Sequence, residues 1–356
     1  TEEQRVTLLR QAIELGADYI DVSINCPALE SLISLCRQTR VIVSYHNYEE
    51  TPRDLPGIAS RLKACGGDII KIAALANRLS DNLKMLDLAK ASSCPTIAIC
   101  MGPKGEISRV LAPLYGSVLT FASLEAGQES APGQIPAETL KDIYRIKEKS
   151  PGFRLFGLIG NPVNKSKGYL LFNGLFKAHD INSLYLNFLV DDMADFKEHL
   201  LSNLDGFSIT MPHKQTIMPL LDQIDPAAKK IGAVNTVVNQ NQKLIGYNTD
   251  MIGALKPIAQ LTDIRDKSVT LLGAGGAARA IAVGIIEAGG RLTILNRTVE
   301  KAERLAKELE CGYGPKADFS TIKTDILINM TSVGMHPATD AIPVDPAHLK
   351  DMVVFD

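Results

Sequence analysis

Four residues of this sequence have the chemistry to move protons or to form a covalent bond. Lys71 stands inside DIIKIAALA, an ionisable group in an apolar run. Burial disfavours the ammonium form and lowers the pKa, and a desolvated amine is the nucleophile that forms a Schiff base with a ketone. A lysine in a strand also serves to block edge-to-edge aggregation, so position alone leaves both roles open. His46, at the C-terminal end of the neighbouring run VIVSY, favours the chemical role, because an imidazole there could move protons for an imine. Lys214 in SITMPHKQ and Asp250 in LIGYNTD form a second pair, each just past an apolar run. An amine and a carboxylate converging on one hydroxyl could shuttle its proton during hydride transfer. The plain alternative is a surface salt bridge, worth little energetically. Asn235 and Thr236 in GAVNT add hydrogen-bonding groups between them.

The stretch KSVTLLGAGGAARA, Lys267 to Ala280, reads as a strand, a glycine-rich turn and the first turn of a helix. Gly273, Ala274, Gly275, Gly276 and Ala277 form that turn. Glycines let the backbone approach a ligand closely, and a helix N-terminus suits a pyrophosphate. The third glycine position is Ala278, and a turn that only packs a helix on a sheet is the alternative. A second strand, Arg291 to Leu295, completes a βαβ unit and ends in Asn296-Arg297-Thr298, with Lys301 one helical turn on. The residue ending that strand reads the adenosine ribose in dinucleotide folds. An acidic residue would suit NAD; this cationic, donor-rich cluster suits the 2′-phosphate of NADP(H).

Composition narrows the classes. The 356 residues predict two to three domains. Lys+Arg 38 against Asp+Glu 40 gives no basic excess, so nucleic acid is not a predicted partner. Apolar runs are of strand length, so no membrane span is predicted. The opening TEEQRVTLLRQ is unlike a signal or transit peptide, and a cytoplasmic protein is expected, although an N-terminus lying outside the chain could carry a targeting segment. The six cysteines make no metal-ligand spacing, and no metal is expected.

The elements that must position these residues alternate. Strand-like runs at Tyr19–Ile24, Val41–Tyr45, Ile69–Ala73, Thr96–Met101 and Val118–Phe121 are separated by helical patterns at Ala28–Arg37, Ile58–Cys65, Asp81–Ser92 and Ile107–Leu114, after an opening helix Thr1–Leu15. Such alternation predicts a parallel α/β sheet, doubly wound or part of a barrel. His46, Lys71, Arg109, Ser130 and Gln134 fall mostly at or beyond C-terminal strand ends. Several strands contribute to barrel sites in that way, which favours a partial (β/α)8 barrel. A closed barrel needs eight strands and five are countable, so three N-terminal strands are expected outside this chain. Ala137–Lys149 is expected to be a closing helix and Ser150-Pro151-Gly152 a boundary. The predicted domains are 1–149, barrel-like; 153–250, an α/β substrate domain; and 251–356, a Rossmann-type dinucleotide domain. The last strand, Met352–Phe355, is expected to be followed by more protein.

Seven ordered motifs from Phe153 onward, GNPVNKSKG, SITMPHK, IGAVNT, GYNTD, GAGGAARA, NRT and NMTSVGM, resemble shikimate dehydrogenase. Residues 1–149, through GADYIDV, VIVSYHNYEETP, DIIKIA, ISRV and SAPGQIP, resemble the Schiff-base class of 3-dehydroquinate dehydratase. The fused order resembles the bifunctional enzymes of the shikimate pathway, which leads to chorismate and the aromatic amino acids. The resemblance implies that Lys71 forms the imine with 3-dehydroquinate and His46 is its acid–base group. It further implies that Arg109 binds the substrate carboxylate and that Ser130 and Gln134 hydrogen-bond the substrate. In the second half it implies that Lys214 and Asp250 act at the hydroxyl being oxidised, and that Ser166, Thr210 and Asn235 bind shikimate or 3-dehydroshikimate. Gly273, Gly275, Gly276, Asn296, Arg297 and Thr298 would then bind NADP(H), with Thr331 and Met335 near the nicotinamide.

The chain departs from the family pattern at named places. Ser23 stands where the IDxE strand usually has glutamate, and the arginine and glutamate of earlier strands have no counterpart. The dehydratase half as given is therefore expected to be inactive or weak by itself. The family's SxS pair reads Ser166-Lys167-Gly168, and its preceding histidine is Lys165. Loss of the second hydroxyl makes room beside the substrate carboxylate, and quinate carries an additional hydroxyl on that carbon. Gly168 is expected to relax the preference from shikimate toward quinate. The family's late tyrosine and glutamine would lie beyond Asp356. A quinate dehydrogenase with an idle barrel and a non-catalytic NADP-binding protein are the competing expectations.

Overall fold

The computed structural model describes residues 1–335 and 339–356, which pack as two compact units, Thr1–Met211 and Pro212–Asp356.

The first unit opens on α1 (Glu2–Glu14), whose N-terminus is closed by a capping box of Thr1 and Gln4. β1 (Tyr19–Ser23), α2 (Leu29–Leu35), β2 (Arg40–Asn47), α3 (Leu55–Ala64), β3 (Ile69–Leu75), α4 (Asp81–Ala91), β4 (Thr96–Met101) and α5 (Glu106–Leu111) follow. The four strands pair in order β1-β2-β3-β4, all parallel, as an open sheet. One face packs on the helices through Ile20, Val22, Val41, Val43, Ile70 and Ile72. The other carries Ile42, Ile69, Ile97 and Ile99 with Phe121 against them. Strands apolar on both faces are the signature of a buried parallel sheet.

Three expectations need correction. Val118–Phe121 is no strand: the ladder beside β4 stops at a single bridge, Thr96 to Ser117. The Ser117 hydroxyl accepts from the Ala98 N–H at 3.3 Å, taking the donor that a fifth strand would use. Ala137–Lys149 is not one helix either. It is a π turn at Thr139–Ile143 and a 3-10 turn at Ile146–Glu148, broken by Arg145 at φ 50°. His46 lies inside β2 rather than beyond it.

β5 (Arg154–Gly160), α6 (Gly168–Ala178), β6 (Ser183–Leu189), α7 (Met193–His199) and β7 (Gly206–Ile209) complete this unit, with β5 between β6 and β7, all parallel. A charged clasp ties α7 to the region after β3. The buried Asp195 carboxylate accepts from the Ser80 N–H at 3.0 Å and lies 3.2 Å from Arg78. Lys104 meets Asp191 at 2.7 Å. Removing the Asp195 carboxylate leaves a buried N–H without a partner, a loss of about 1–3 kcal/mol. Asp195→Ala is therefore expected to lower the melting temperature by several degrees, and Arg78→Ala, which leaves the 1% exposed Asp195 carboxylate without its cation, by a comparable amount. An unchanged thermal melt for either variant would contradict this account.

The second unit contains β8 (Gln223–Ile224), α8 (Pro226–Ile231), β9 (Thr236–Gln240) and β10 (Lys243–Tyr247), then α9 (Asp250–Leu261) and β11 (Ser268–Leu272). α10 (Gly276–Glu287), β12 (Arg291–Asn296), α11 (Val299–Leu309), β13 (Gly312–Pro315), β14 (Ile326–Asn329) and β15 (Val353–Phe355) complete it. β9 and β10 form an antiparallel hairpin through Asn241 and Gln242, both at positive φ, the two-residue turn that matches strand twist. The parallel sheet order β13-β12-β11-β14-β15 places β11 at the centre, so the glycine turn leaves the carboxyl end of a central strand.

Candidate active sites

Lys71 pairs with Ser44 in register, and His46 stands two residues beyond Ser44 on β2. With a period of two, Lys71, His46 and Asp21 therefore share the sheet face that carries Ile42, Ile69 and Ile97. The Lys71 ammonium donates to Asp21 Oδ2 at 2.6 Å and sits 4.2 Å from the Phe121 ring centroid. Only 10% of its side chain is exposed. Burial, and next the charge of Lys71, hold the His46 pKa below its usual value, with Asp21 opposing. His46 is thus a neutral imidazole at neutral pH, ready to accept a proton.

Arg109, on α5, is buried and donates to the carbonyls of Phe121 at 3.3 Å and Pro132 at 3.4 Å, while its Nε has no partner among the described residues. Ser130 and Gln134 are brought together, the Ser130 N–H donating to Gln134 Oε1 at 2.8 Å. Neither touches Lys71 or His46 among the described contacts. Gln134 instead lines a cleft of about 520 Å³ that also holds Asn161, Asn164, Tyr169 and Asn187.

Lys214 and Asp250 meet as predicted: Nζ lies 2.6 Å from Asp250 Oδ2. Asn235 connects them to the hairpin. Its amide donates to Asp250 Oδ1 at 2.6 Å and to Thr249 Oγ1 at 3.0 Å, and its oxygen accepts from the Thr249 N–H. Asp250 opens α9, so its carboxylate sits at a helix N-terminus, where negative charge is favoured. One carboxylate oxygen is held by Asn235 and the other by the lysine, which is an arrangement for passing a proton at a fixed point.

In the first unit Ser166 lies in the loop between β5 and α6, its hydroxyl accepting from the Gly168 N–H at 3.2 Å. Asn187 of β6 clamps that loop, its amide donating to the carbonyls of Val163 at 3.2 Å and Ser166 at 3.4 Å. Thr210 follows β7, its N–H donating to Ile159 O at 3.0 Å.

The glycine turn has room for a dinucleotide. Gly273 is at φ +109°, and a side chain there would meet the Met330 carbonyl at 2.8 Å, so only glycine fits. Beside Gly275 and Gly276 there is open space within 4 Å where a Cβ would stand, at the N-terminus of α10. Ala274 and Ala277 flank them. Asn296 closes the turn after β12 by donating to Thr298 O at 2.8 Å. Arg297 and Lys301 are exposed and make no ion pair among the described residues. These groups fit a phosphorylated dinucleotide. Thr331 is fixed by Asn329 Oδ1, at 2.7 Å from its hydroxyl, while Met335 is exposed. No group of residues that could hold a metal occurs among the described residues, and none of their helices is long and apolar enough to cross a membrane.

Sequence reasoning missed Asp21 and Asn187. Asp21 was visible only as part of the IDxE strand; period-two alternation on β1 would have placed it on the face of Lys71. Asn187 joins residues more than twenty positions away and leaves no local signal.

Residues 1–151 match the family model for type I 3-dehydroquinase. Residues 158–237 match that for the shikimate dehydrogenase substrate binding domain, and 256–336 that for shikimate/quinate 5-dehydrogenase. The chain is 37% identical to a chloroplastic bifunctional 3-dehydroquinate dehydratase/shikimate dehydrogenase of Arabidopsis thaliana, over 100% of this chain and 63% of that protein. It thus spans less than two thirds of that relative. It is 42% identical to a shikimate dehydrogenase (NADP(+)) of Methanococcus maripaludis, over 57% of this chain and 77% of that one. The crystal structure of shikimate dehydrogenase from Aquifex aeolicus superposes with a TM-score of 0.52 at 35% identity, covering 58% of this chain and 79% of that one.

Proposed function

The chain belongs to the shikimate dehydrogenase family and carries a type I 3-dehydroquinase region ahead of it, and on that premise we propose two consecutive reactions. The first is dehydration of 3-dehydroquinate to 3-dehydroshikimate, the second NADPH-dependent reduction of 3-dehydroshikimate to shikimate. The division of labour follows 1–149 for dehydration, 153–250 for the second substrate and 251–356 for NADP(H). The observation that carries the second reaction is the Lys214–Asp250 contact of 2.6 Å fixed by Asn235.

In the oxidative direction the substrate hydroxyl gives its proton to the Lys214–Asp250 pair as the carbinol carbon loses hydride. NADP+, when bound, supplies the hydride acceptor. Gly275 and Gly276 would leave its phosphates access to the α10 N-terminus, Arg297 and Lys301 would hold the 2′-phosphate, and Thr331 and Met335 would lie on the nicotinamide side. In the first unit Ser166 and Thr210 would contact the acid, and in the second Asn235 fixes Asp250. In the dehydration, the Lys71 amine adds to the ketone and water leaves as the imine forms. The imine acidifies the adjacent C–H. His46 takes that proton and returns one to the departing hydroxyl, and hydrolysis of the imine frees Lys71. Arg109 holds the carboxylate, with Ser130 and Gln134 on the substrate hydroxyls.

The deciding experiment supplies the full-length gene product with 3-dehydroquinate and NADPH and identifies the product. Shikimate supports both reactions. Quinate supports reduction with an idle dehydratase. A protein that binds NADPH and turns over neither 3-dehydroquinate nor 3-dehydroshikimate is the non-catalytic alternative.

One observation favours quinate as a second substrate. A Cβ built at Gly168 meets nothing closer than Ser166 Oγ and Tyr185 Cε1, each at 3.4 Å. A Cβ at residue 168 would stand in contact with both, and glycine leaves that volume unfilled. Gly168→Ser is expected to raise the shikimate-to-quinate ratio of kcat/KM about tenfold, the worth of one good hydrogen bond. An unchanged ratio removes the quinate preference.

A further inference from the structure

Resting on the quinate preference proposed above, we infer that the Tyr185 hydroxyl, uncovered by the absence of a side chain at residue 168, is the group that recognises the extra hydroxyl at the carboxylate-bearing carbon of the substrate. Tyr185 lies on β6, pairs with Phe156 of β5 and is 4% exposed. Its ring stacks on Phe172 of α6, centroids 4.5 Å apart. Its backbone is pinned on both sides by Asn173, which accepts from the Tyr185 N–H at 3.0 Å and donates to its carbonyl at 2.8 Å. The side chain is thus a rigid post with a polar tip.

The tip has a defined place. The phenol oxygen is 3.5 Å from where a Cβ of residue 168 would stand, and Ser166 Oγ is 3.4 Å from the same point. The two hydroxyls therefore border one small space, on the loop expected to hold the substrate carboxylate. Ser208 of β7, which pairs with Leu158 in register, lowers the phenol pKa, against the larger effect of burial. The phenol keeps its own proton to give. Burial holds its pKa above the usual range, so that proton is present throughout the neutral region. A ring carbon bearing only a carboxylate leaves this donor facing the side-chain position that glycine leaves unfilled; one that also bears a hydroxyl reaches that position and accepts from it. Where residue 168 is serine, its own hydroxyl lies against the phenol and satisfies it. Discrimination then follows from pairing or orphaning a buried polar group, the sharpest form of specificity available to a hydrogen-bonding site.

The test uses the full chain and three variants, Tyr185→Phe, Gly168→Ser and the double. Phenylalanine keeps the stack on Phe172 and the burial. For each protein, kcat/KM with quinate and with shikimate is measured at saturating NADP+, and binding of each acid to the NADP+ complex by calorimetry. Tyr185→Phe is expected to lower quinate turnover and binding about tenfold and shikimate about twofold. In the Gly168→Ser background the extra loss on quinate vanishes. Equal losses on both acids, or no loss at all, would overturn the assignment, the first marking Tyr185 as packing alone, and an undiminished quinate loss in the Gly168→Ser background would overturn the part given to residue 168. If Tyr185→Phe shifts the ratio and Gly168→Ser does not, the role of Tyr185 stands and that given to residue 168 fails. If neither acid binds the parent protein, the proposed dehydrogenase function fails and the assignment with it.

Discussion

Lys214→Met is expected to lower kcat for shikimate oxidation by about 10³-fold, within the 10²–10⁴ range of a positioned acid–base group, while KM for NADP+ stays within about twofold. Methionine keeps the length and apolar stem of the lysine and removes the charge. Asn235 still holds Asp250 from the other side, through its 2.6 Å bond to Oδ1, so the site keeps its shape and loses the proton path. Lys214 and Asp250 touch at 2.6 Å and act on one proton. Asp250→Asn should cost a similar factor, and the double variant little more than either single one, because residues that act as a unit are not additive. Stopped-flow or steady-state NADPH absorbance reads all of these. A kcat within fivefold of the parent for Lys214→Met would reduce the pair to a structural salt bridge.

Borohydride added to the full-length protein with 3-dehydroquinate is expected to fix a substrate-derived mass on the peptide that contains Lys71. Lys71→Met should abolish that mass and lower dehydration by about 10⁴-fold or more, as removal of a covalent nucleophile does. The surroundings of Lys71 support this: an ammonium 2.6 Å from Asp21 and 4.2 Å from the Phe121 ring centroid, on the apolar face of a parallel sheet. Asp21 is within reach to accept a proton as the amine attacks. His46 gives the reaction its pH dependence. Its pKa is lowered, by burial first and by Lys71 second, so the neutral imidazole that the elimination needs persists below about pH 6.5, the usual value. Dehydration should be flat through neutrality and fall only as pH drops through the lowered pKa. Lys71→Met removes one of the lowering causes and leaves Asp21, which raises, so His46 followed by NMR should titrate higher in the variant. A borohydride adduct that survives the Lys71 substitution, or a His46 titration that moves down, contradicts the assignment.

Much of the frame was legible before folding. Buried parallel strands must be apolar on both faces, so β2, β3, β4 and β11 stand out as short apolar runs. The glycine turn announces itself because φ +109° at Gly273 beside the Met330 carbonyl admits no side chain. Lys71, His46, Lys214 and Asp250 were found because charged groups beside apolar runs are costly unless they are used. The misreadings were local and physical. Ser117 spends a ladder donor of β4 on its hydroxyl, so an apolar stretch that reads as a strand never pairs. Arg145 adopts positive φ and splits a helix that composition alone would continue.

What the sequence by itself determined is therefore the order of elements, the residue types that carry chemistry and the turn that suits a dinucleotide. These depend on periodicities and on backbone limits that act within a few residues. Only the tertiary structure decided which groups meet. Asp21 reaches Lys71 across 50 positions, and Asp250 reaches Lys214 across 36. Tyr185 and Ser166 border the same point beside Gly168, a glycine whose meaning lies in the hydroxyls around it. Such partners are chosen by strand register and by the packing of a core. Both are sums over many weak contacts between distant segments, and no local pattern of the chain records their outcome.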